Sequence, residues 1–206
     1  LIAARGLLSA GLDKEVHAML KTFGRFVDKG TLPNTIHGAD ASNRDTSDAP
    51  LWYGVVCEDY AARRTAKQAE SFYRGKVEKG GRTVMEVLME IASGYVSGTP
   101  NGIRMDPESC LVWSPSHFTW MDTNHPAGTP REGYPVEIQA LWIRLLRQLE
   151  RLQAPVVTDS WKQLADSAED SFNKFFWLES EGWFADQLIG PAGMPAHIGG
   201  YRHGCC

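Results

Sequence analysis

The feature that most constrains this chain is a stripe of large apolar residues between Pro135 and Gln153. Val136, Ile138, Leu141, Trp142, Leu145, Leu146, Leu149 and Leu152 recur at helical spacing, with Arg144, Arg147, Glu150 and Arg151 on the other side. A face that wide demands another apolar surface to lie against, so it predicts a long amphipathic helix packed into a bundle. Pro135 is expected in its first turn, where a missing N–H costs nothing.

The same pattern recurs along the chain. Leu12, Val16, Met19, Leu20, Phe23, Phe26 and Val27 form one face before Gly30 and Pro33 stop the helix. A second helix is predicted after Pro50, carrying Leu51, Trp52, Val55, Val56 and Tyr60 and extending through Arg63 to Lys67. A third follows Gly81 with Val84, Val87, Leu88, Ile91 and Tyr95, ending near Gly98. Another starts with Asp159 or Ser160 as N-cap and carries Trp161, Leu164, Ala168, Phe172, Phe175 and Phe176, all read as core. Short extended pieces fit Ile103 to Met105, Leu111 to Trp113 and Trp183 to Leu188, with a turn at Asp106-Pro107-Glu108. The chain reads as mainly α, with five or six helices.

The connections are the anomaly. Segments 31–49 and 98–134 far exceed the usual helix–helix link of about 2 to 8 residues, and they concentrate Trp, His, Arg and Asp. Long polar loops on a helical scaffold are where sites are built. Composition narrows what such a site takes: 206 residues with a net charge of −4 carry no basic excess for nucleic acid, and no apolar run reaches membrane-span length. The chain is therefore expected to be soluble, with neither DNA nor a membrane as partner. Cys57, Cys110, Cys205 and Cys206 show no metal-ligand spacing, and Cys57 falls in an apolar stripe as a small core residue. Neither a phosphate-binding Gly-rich motif nor a nucleophile elbow is present.

Three carboxylates stand out. Asp48, near Arg44 and Trp52, is either the N-cap of the helix starting at Pro50 or, with its neighbours, a binder of sugar hydroxyls under an indole face. Ser47 is the other candidate for the cap. Asp122, flanked by Trp120 and Met121, is either a turn residue or a carboxyl desolvated by those neighbours into a general acid. Glu137, in the first turn of the strongest helix, either answers the helix dipole or projects beside Arg131 into the pocket of Asp122. His117 and His125 fit no zinc spacing, and neither a metal nor a cofactor is expected.

Thr119-Trp120-Met121-Asp122, followed by Thr129-Pro130-Arg131-Glu132-Gly133-Tyr134-Pro135-Val136-Glu137-Ile138-Gln139-Ala140-Leu141-Trp142, resembles the glucosidase part of glycogen-debranching enzymes, the amylo-α-1,6-glucosidase family. Leu32-Pro33-Asn34, Asp48-Ala49-Pro50-Leu51-Trp52 and Ser171 to Trp177 extend the likeness in order over nearly the whole chain.

The resemblance implies part of an (α/α)6 toroid in which long loops carry the site, and inverting hydrolysis of α-1,6-linked glucose at branch points of glycogen or limit dextrin. It also implies a cytoplasmic location. Asp122 then matches the general acid, while Asp48, Trp52, Trp120, Arg131, Glu137 and Arg44 are the expected substrate-binding residues. Inversion needs a second carboxylate roughly 6.5–9.5 Å from the first, and the resemblance places it in a later segment. Residues 1–206, which start at Leu1 with no signal peptide, are accordingly expected to be a partial catalytic domain, incomplete at both ends. Two other readings stay open: a non-catalytic carbohydrate-binding half-toroid, and a different α/α-toroid enzyme such as another α-glucosidase or a trehalase-like one.

Overall fold

Pro50, Leu51, Tyr53, Val55, Val56, Cys57 and Tyr60 are all buried on one helix, which turns little more than Glu58, Asp59 and Ala62 near its end toward solvent. The computed structural model places it, α3 (Ala49–Ala62), at the centre of the others. Residues 1–38, 40–122, 130–155 and 160–190 are described, with 201–202 described by their backbone. Around α3 stand α1 (Ala4–Ser9), α2 (Asp13–Phe26), α4 (Ala66–Arg74), α5 (Val84–Ser97) and α6 (Val136–Arg151), and α7 (Trp161–Phe176) packs on α6. The chain is mainly α.

The predicted stripe of α6 is buried at Ile138, Trp142, Leu145, Leu146 and Leu149. Trp142 stacks on Tyr95 of α5 at 5.8 Å and donates its indole N–H to the Cys110 carbonyl. Across the wet side Arg144 reaches Glu58 and Asp59 of α3, while Arg147 reaches Asp166 and Glu169 of α7. Such exposed pairs contribute about 0–1 kcal/mol each, so apolar burial holds these helices together. α5 crosses the turn after α2 very closely: a Cβ on Gly94 would lie 2.6 Å from the Gly30 Cα, and Gly30 itself has φ +81°. Both positions exclude any side chain.

The strands are short and antiparallel. β1 (Arg104–Met105) pairs with β2 (Val112–Trp113) around the expected turn, where Asp106 accepts from the Ser109 amide and hydroxyl. β3 (Tyr134–Pro135) pairs with β6 (Gln187–Leu188), which pairs with β7 (Tyr201–Arg202), and β4 (Trp177–Leu178) pairs with β5 (Trp183–Phe184). A small second core of Leu111, Tyr134, Phe176, Ala185 and Leu188 lies beside the β3–β6 pair, with Phe172 and Phe175 half-buried against it.

Three expectations change. The helix after Pro50 does not run to Lys67: it breaks at 63–65, where Thr65 caps α4 through a reciprocal capping box with Gln68. Pro135 sits just before α6 in extended conformation, paired with Gln187, rather than inside the first turn. The extended piece from Trp183 to Leu188 is two strands in separate sheets. Ser160 is the N-cap of α7; Asp159 lies outside the described residues. Among the described residues no helix is long and apolar enough to cross a membrane.

Candidate functional site

Both long loops are tied down by their own polar groups. Arg44 donates to the Phe26 carbonyl at the end of α2 and to the carbonyl and hydroxyl of Thr31, while its own carbonyl accepts from Asn101. This fastens the first loop to the helix before it and to the second loop. Ser47 is buried at their junction: its amide donates to the Phe118 carbonyl at 2.7 Å, its hydroxyl pairs with that of Ser114 at 2.7 Å, and its carbonyl accepts from Tyr95. Burial makes each of these bonds expensive to lose. They hold residues 114–122 against the start of α3.

The result is a cleft of about 320 Å³ lined by Asp48, Trp52, Trp120 and Asp122, together with Asn34 and Asp45. Asp48 occupies the N-cap position of α3 but makes no side-chain cap bond. Its carboxylate instead accepts from the Thr46 hydroxyl at 2.7 Å, and Thr46 accepts from the Ala49 amide. Burial raises the Asp48 pKa above its ordinary value against the pull of these donors, and the negative charge of Asp122 adds to the rise. Asp122 is exposed, as is Trp120 at 66%, so the neighbours expected to desolvate Asp122 do not cover it in this structure. Trp52 is half-buried at the cleft wall.

Arg131 and Glu137 go elsewhere. Arg131, 4% exposed and with φ +51°, places its guanidinium between Glu137 at the start of α6 and Asp186 before β6. Burial raises Glu137 above the usual carboxylate value, the Arg131 charge opposing it. The Arg131 Nε and Glu137 Oε1 are buried with no partner among the described residues. Neither residue lines the cleft of Asp48 and Asp122, and neither does Arg44. Four of the seven expected site residues therefore converge on one cleft, and two pair with each other beside it in sequence. Asp186, which completes the Arg131 arrangement, carries no local signal in its Phe-Ala-Asp-Gln context. Asn34 was visible within the Leu32-Pro33-Asn34 segment.

His117 is described, its Nδ1 buried with no partner among the described residues; His125 lies outside them, as do Cys205 and Cys206. Among the described residues no three His, Cys, Asp or Glu side chains are grouped to hold a metal ion. Chemically the cleft offers carboxylates and two indoles, a set that hydrogen-bonds hydroxyls and covers an apolar ring face.

The family model described as amylo-alpha-1,6-glucosidase matches residues 1–193. No curated protein matches the chain.

Proposed function

From the premise that this chain belongs to the amylo-α-1,6-glucosidase family, shown by the match over residues 1–193, we propose that it is a glycoside hydrolase acting on α-1,6-linked glucose at glycogen or limit-dextrin branch points. The observation that carries the reading is the meeting of Asp48 and Trp52 with Trp120 and Asp122, from segments about seventy residues apart, in one cleft. The seven described helices fit part of an (α/α)6 toroid.

In this mechanism the terminal glucose lies against Trp52 and Trp120, and Asp48 accepts from its hydroxyls. Asp122 donates a proton to the glycosidic oxygen as the C–O bond breaks. A bound sugar displaces water from Asp122 and brings Asp48's charge into a drier space. Exclusion of water of this kind is what proton donation by a carboxyl to a leaving oxygen requires. A second carboxylate activates the water that attacks the anomeric carbon from the opposite face. Glu137 is not assigned that role, because it is committed to Arg131.

The test is glucose release from a limit dextrin by the full-length protein. The wild type is expected to release the β-anomer first, and Asp122→Asn to lower kcat by about 10²–10⁴-fold with KM little changed. Wild-type turnover by Asp122→Asn rejects the assignment. The exposure of Asp122 favours a second reading, in which the cleft binds α-glucan without cleaving it. Saturable dextrin binding with no glucose released by the wild type selects that reading.

A further inference from the structure

A separate cleft of about 330 Å³ lies where α2, the α3–α4 turn and α4 meet, and it shares no lining residue with the cleft of Asp48. His17 and Lys21 enter it from α2, one turn apart, and Arg64 from the turn; Gln68 and Ser71 of α4 add neutral donors. No lining residue is acidic.

Donors outnumber acceptors in this space. Among the described residues the Lys21 ammonium, the Ser71 hydroxyl and both ring nitrogens of His17 have no hydrogen bond or ion pair. Gln68 uses its amide oxygen to accept from the Thr65 amide and hydroxyl, at 3.1 Å each, so its NH₂ stays unused. Arg64 does have an acid, Asp13 at 3.0 Å, but Asp13 is shared with Arg63 at 3.3 Å. The Arg64 guanidinium is fixed over the Tyr60 ring, 4.1 Å from its centroid, and the His17 ring stacks on Tyr60 at 5.4 Å and meets Phe72 edge-on at 5.9 Å. The Arg64 guanidinium and the His17 imidazole are thus held on an aromatic floor, with Lys21 one turn along α2.

We propose that this cleft binds a phosphate-type oxyanion, carried by a phosphomonoester or free in solution, with Lys21 and Arg64 as its charge partners and His17, Gln68 and Ser71 as hydrogen-bond donors. A tetrahedral dianion offers enough acceptor positions for donors converging from three sides, and it balances the excess of positive charge. The groups around His17 make it a reporter. Burial, Lys21 and Arg64 hold its pKa below the ordinary value. Tyr60, Phe72, Gln68 and Ser71 facing it are uncharged, and Asp13 is engaged by the arginines. An anion between Lys21 and Arg64 cancels the repulsion and raises that pKa.

The inference is independent of the role of Asp122 and is tested by nuclear magnetic resonance. The His17 imidazole C–H signal is identified by its loss in His17→Gln, then followed while inorganic phosphate, glucose 6-phosphate or chloride at matched ionic strength is added. A saturating shift with both phosphates, a raised His17 pKa in their presence, and affinity about tenfold weaker in Lys21→Gln are expected. Equal affinity for the two phosphates assigns the site to the phosphate group alone; tighter binding of glucose 6-phosphate assigns it to a phosphomonoester. A shift that chloride reproduces, that does not saturate, or that is unchanged in Lys21→Gln overturns the proposal. Lys21 is exposed, and an unchanged circular dichroism spectrum verifies folding of the variant. Asp122→Asn retains phosphate binding, so a failed glucosidase reading and a failed phosphate site are told apart.

Discussion

Asp48 with Asp122, and Glu137 with Asp186, are two pairs of carboxylates reached from the same stretch of chain, and they end in opposite electrostatic states. The first pair faces an open cleft with no Lys, Arg or His side chain among the described residues on its wall, and Asp48 accepts from a hydroxyl. The second pair closes on a buried guanidinium. In both, burial pushes a carboxyl pKa upward, yet only the second pair is already matched by a cation. A raised carboxyl therefore marks a candidate site only where no structural cation already engages the group. Arg131 fixes the entry to α6 and the β3–β6 pair, and the cleft is free to carry chemistry.

The largest effect is expected on the closed side. Arg131→Met removes the buried cation and leaves Glu137 half-buried without its partner, which lowers unfolding free energy by about 3 kcal/mol. Urea denaturation followed by tryptophan fluorescence measures it. Arg131→Lys recovers less than half of that loss, because an ammonium cannot bridge two carboxylates as the forked guanidinium does. A loss below about 1 kcal/mol for Arg131→Met means that the arrangement is no more than a surface ion pair.

On the open side the comparison turns on what holds the loop. Ser114→Ala leaves the fully buried Ser47 hydroxyl without its partner and costs about 1–2 kcal/mol. The Ser47 amide still holds Phe118, so the fold persists while the segment bearing Trp120 and Asp122 loosens. Dextrin affinity is expected to fall several-fold in the same variant, as read by calorimetry. Wild-type affinity in a destabilised Ser114→Ala separates the anchor from the cleft.

How much of this was legible in the sequence follows from the range of the forces involved. α2, α5, α6 and α7 follow periodic apolar faces, a local signal, and the Asp106 turn follows local turn chemistry. The break at 63–65 also had a local signal, the Thr65-x-x-Gln68 capping box, which the expectation of one continuous helix passed over. α3 is buried around most of its circumference, so its periodicity is blurred and its central place is a tertiary fact. Asp48, Trp52, Trp120 and Asp122 are singled out by their motifs, and one cleft brings the four together. The pairing of Arg131 and Glu137 with Asp186 spans about fifty residues and depends on how β6 meets β3, which no local pattern encodes.

The smallest effect compares the two pairs carboxyl by carboxyl, because the opposing cation is present in only one of them. A carboxyl whose folded pKa is raised binds more proton in the folded than in the unfolded chain between the ordinary carboxylate value and its raised one. Stability is then fully present below the unfolded pKa and falls as pH rises through the folded one. That holds for both Asp48 and Glu137. Removing the charge has different consequences. Asp48→Asn relieves desolvation and the repulsion from Asp122 while keeping an acceptor for Thr46, so it raises stability at pH 7 by about 0.5 kcal/mol. It also flattens the decline in stability above pH 4 and weakens dextrin binding. Glu137→Gln relieves the same desolvation but gives up the attraction to Arg131 that opposes it, so its gain at pH 7 is the smaller, within about 0.5 kcal/mol of zero. Parallel urea titrations of the two variants from pH 4 to pH 8 read both changes. If Asp48→Asn destabilises instead, Asp48 is a structural carboxylate, and the cleft loses the residue proposed to hold the sugar.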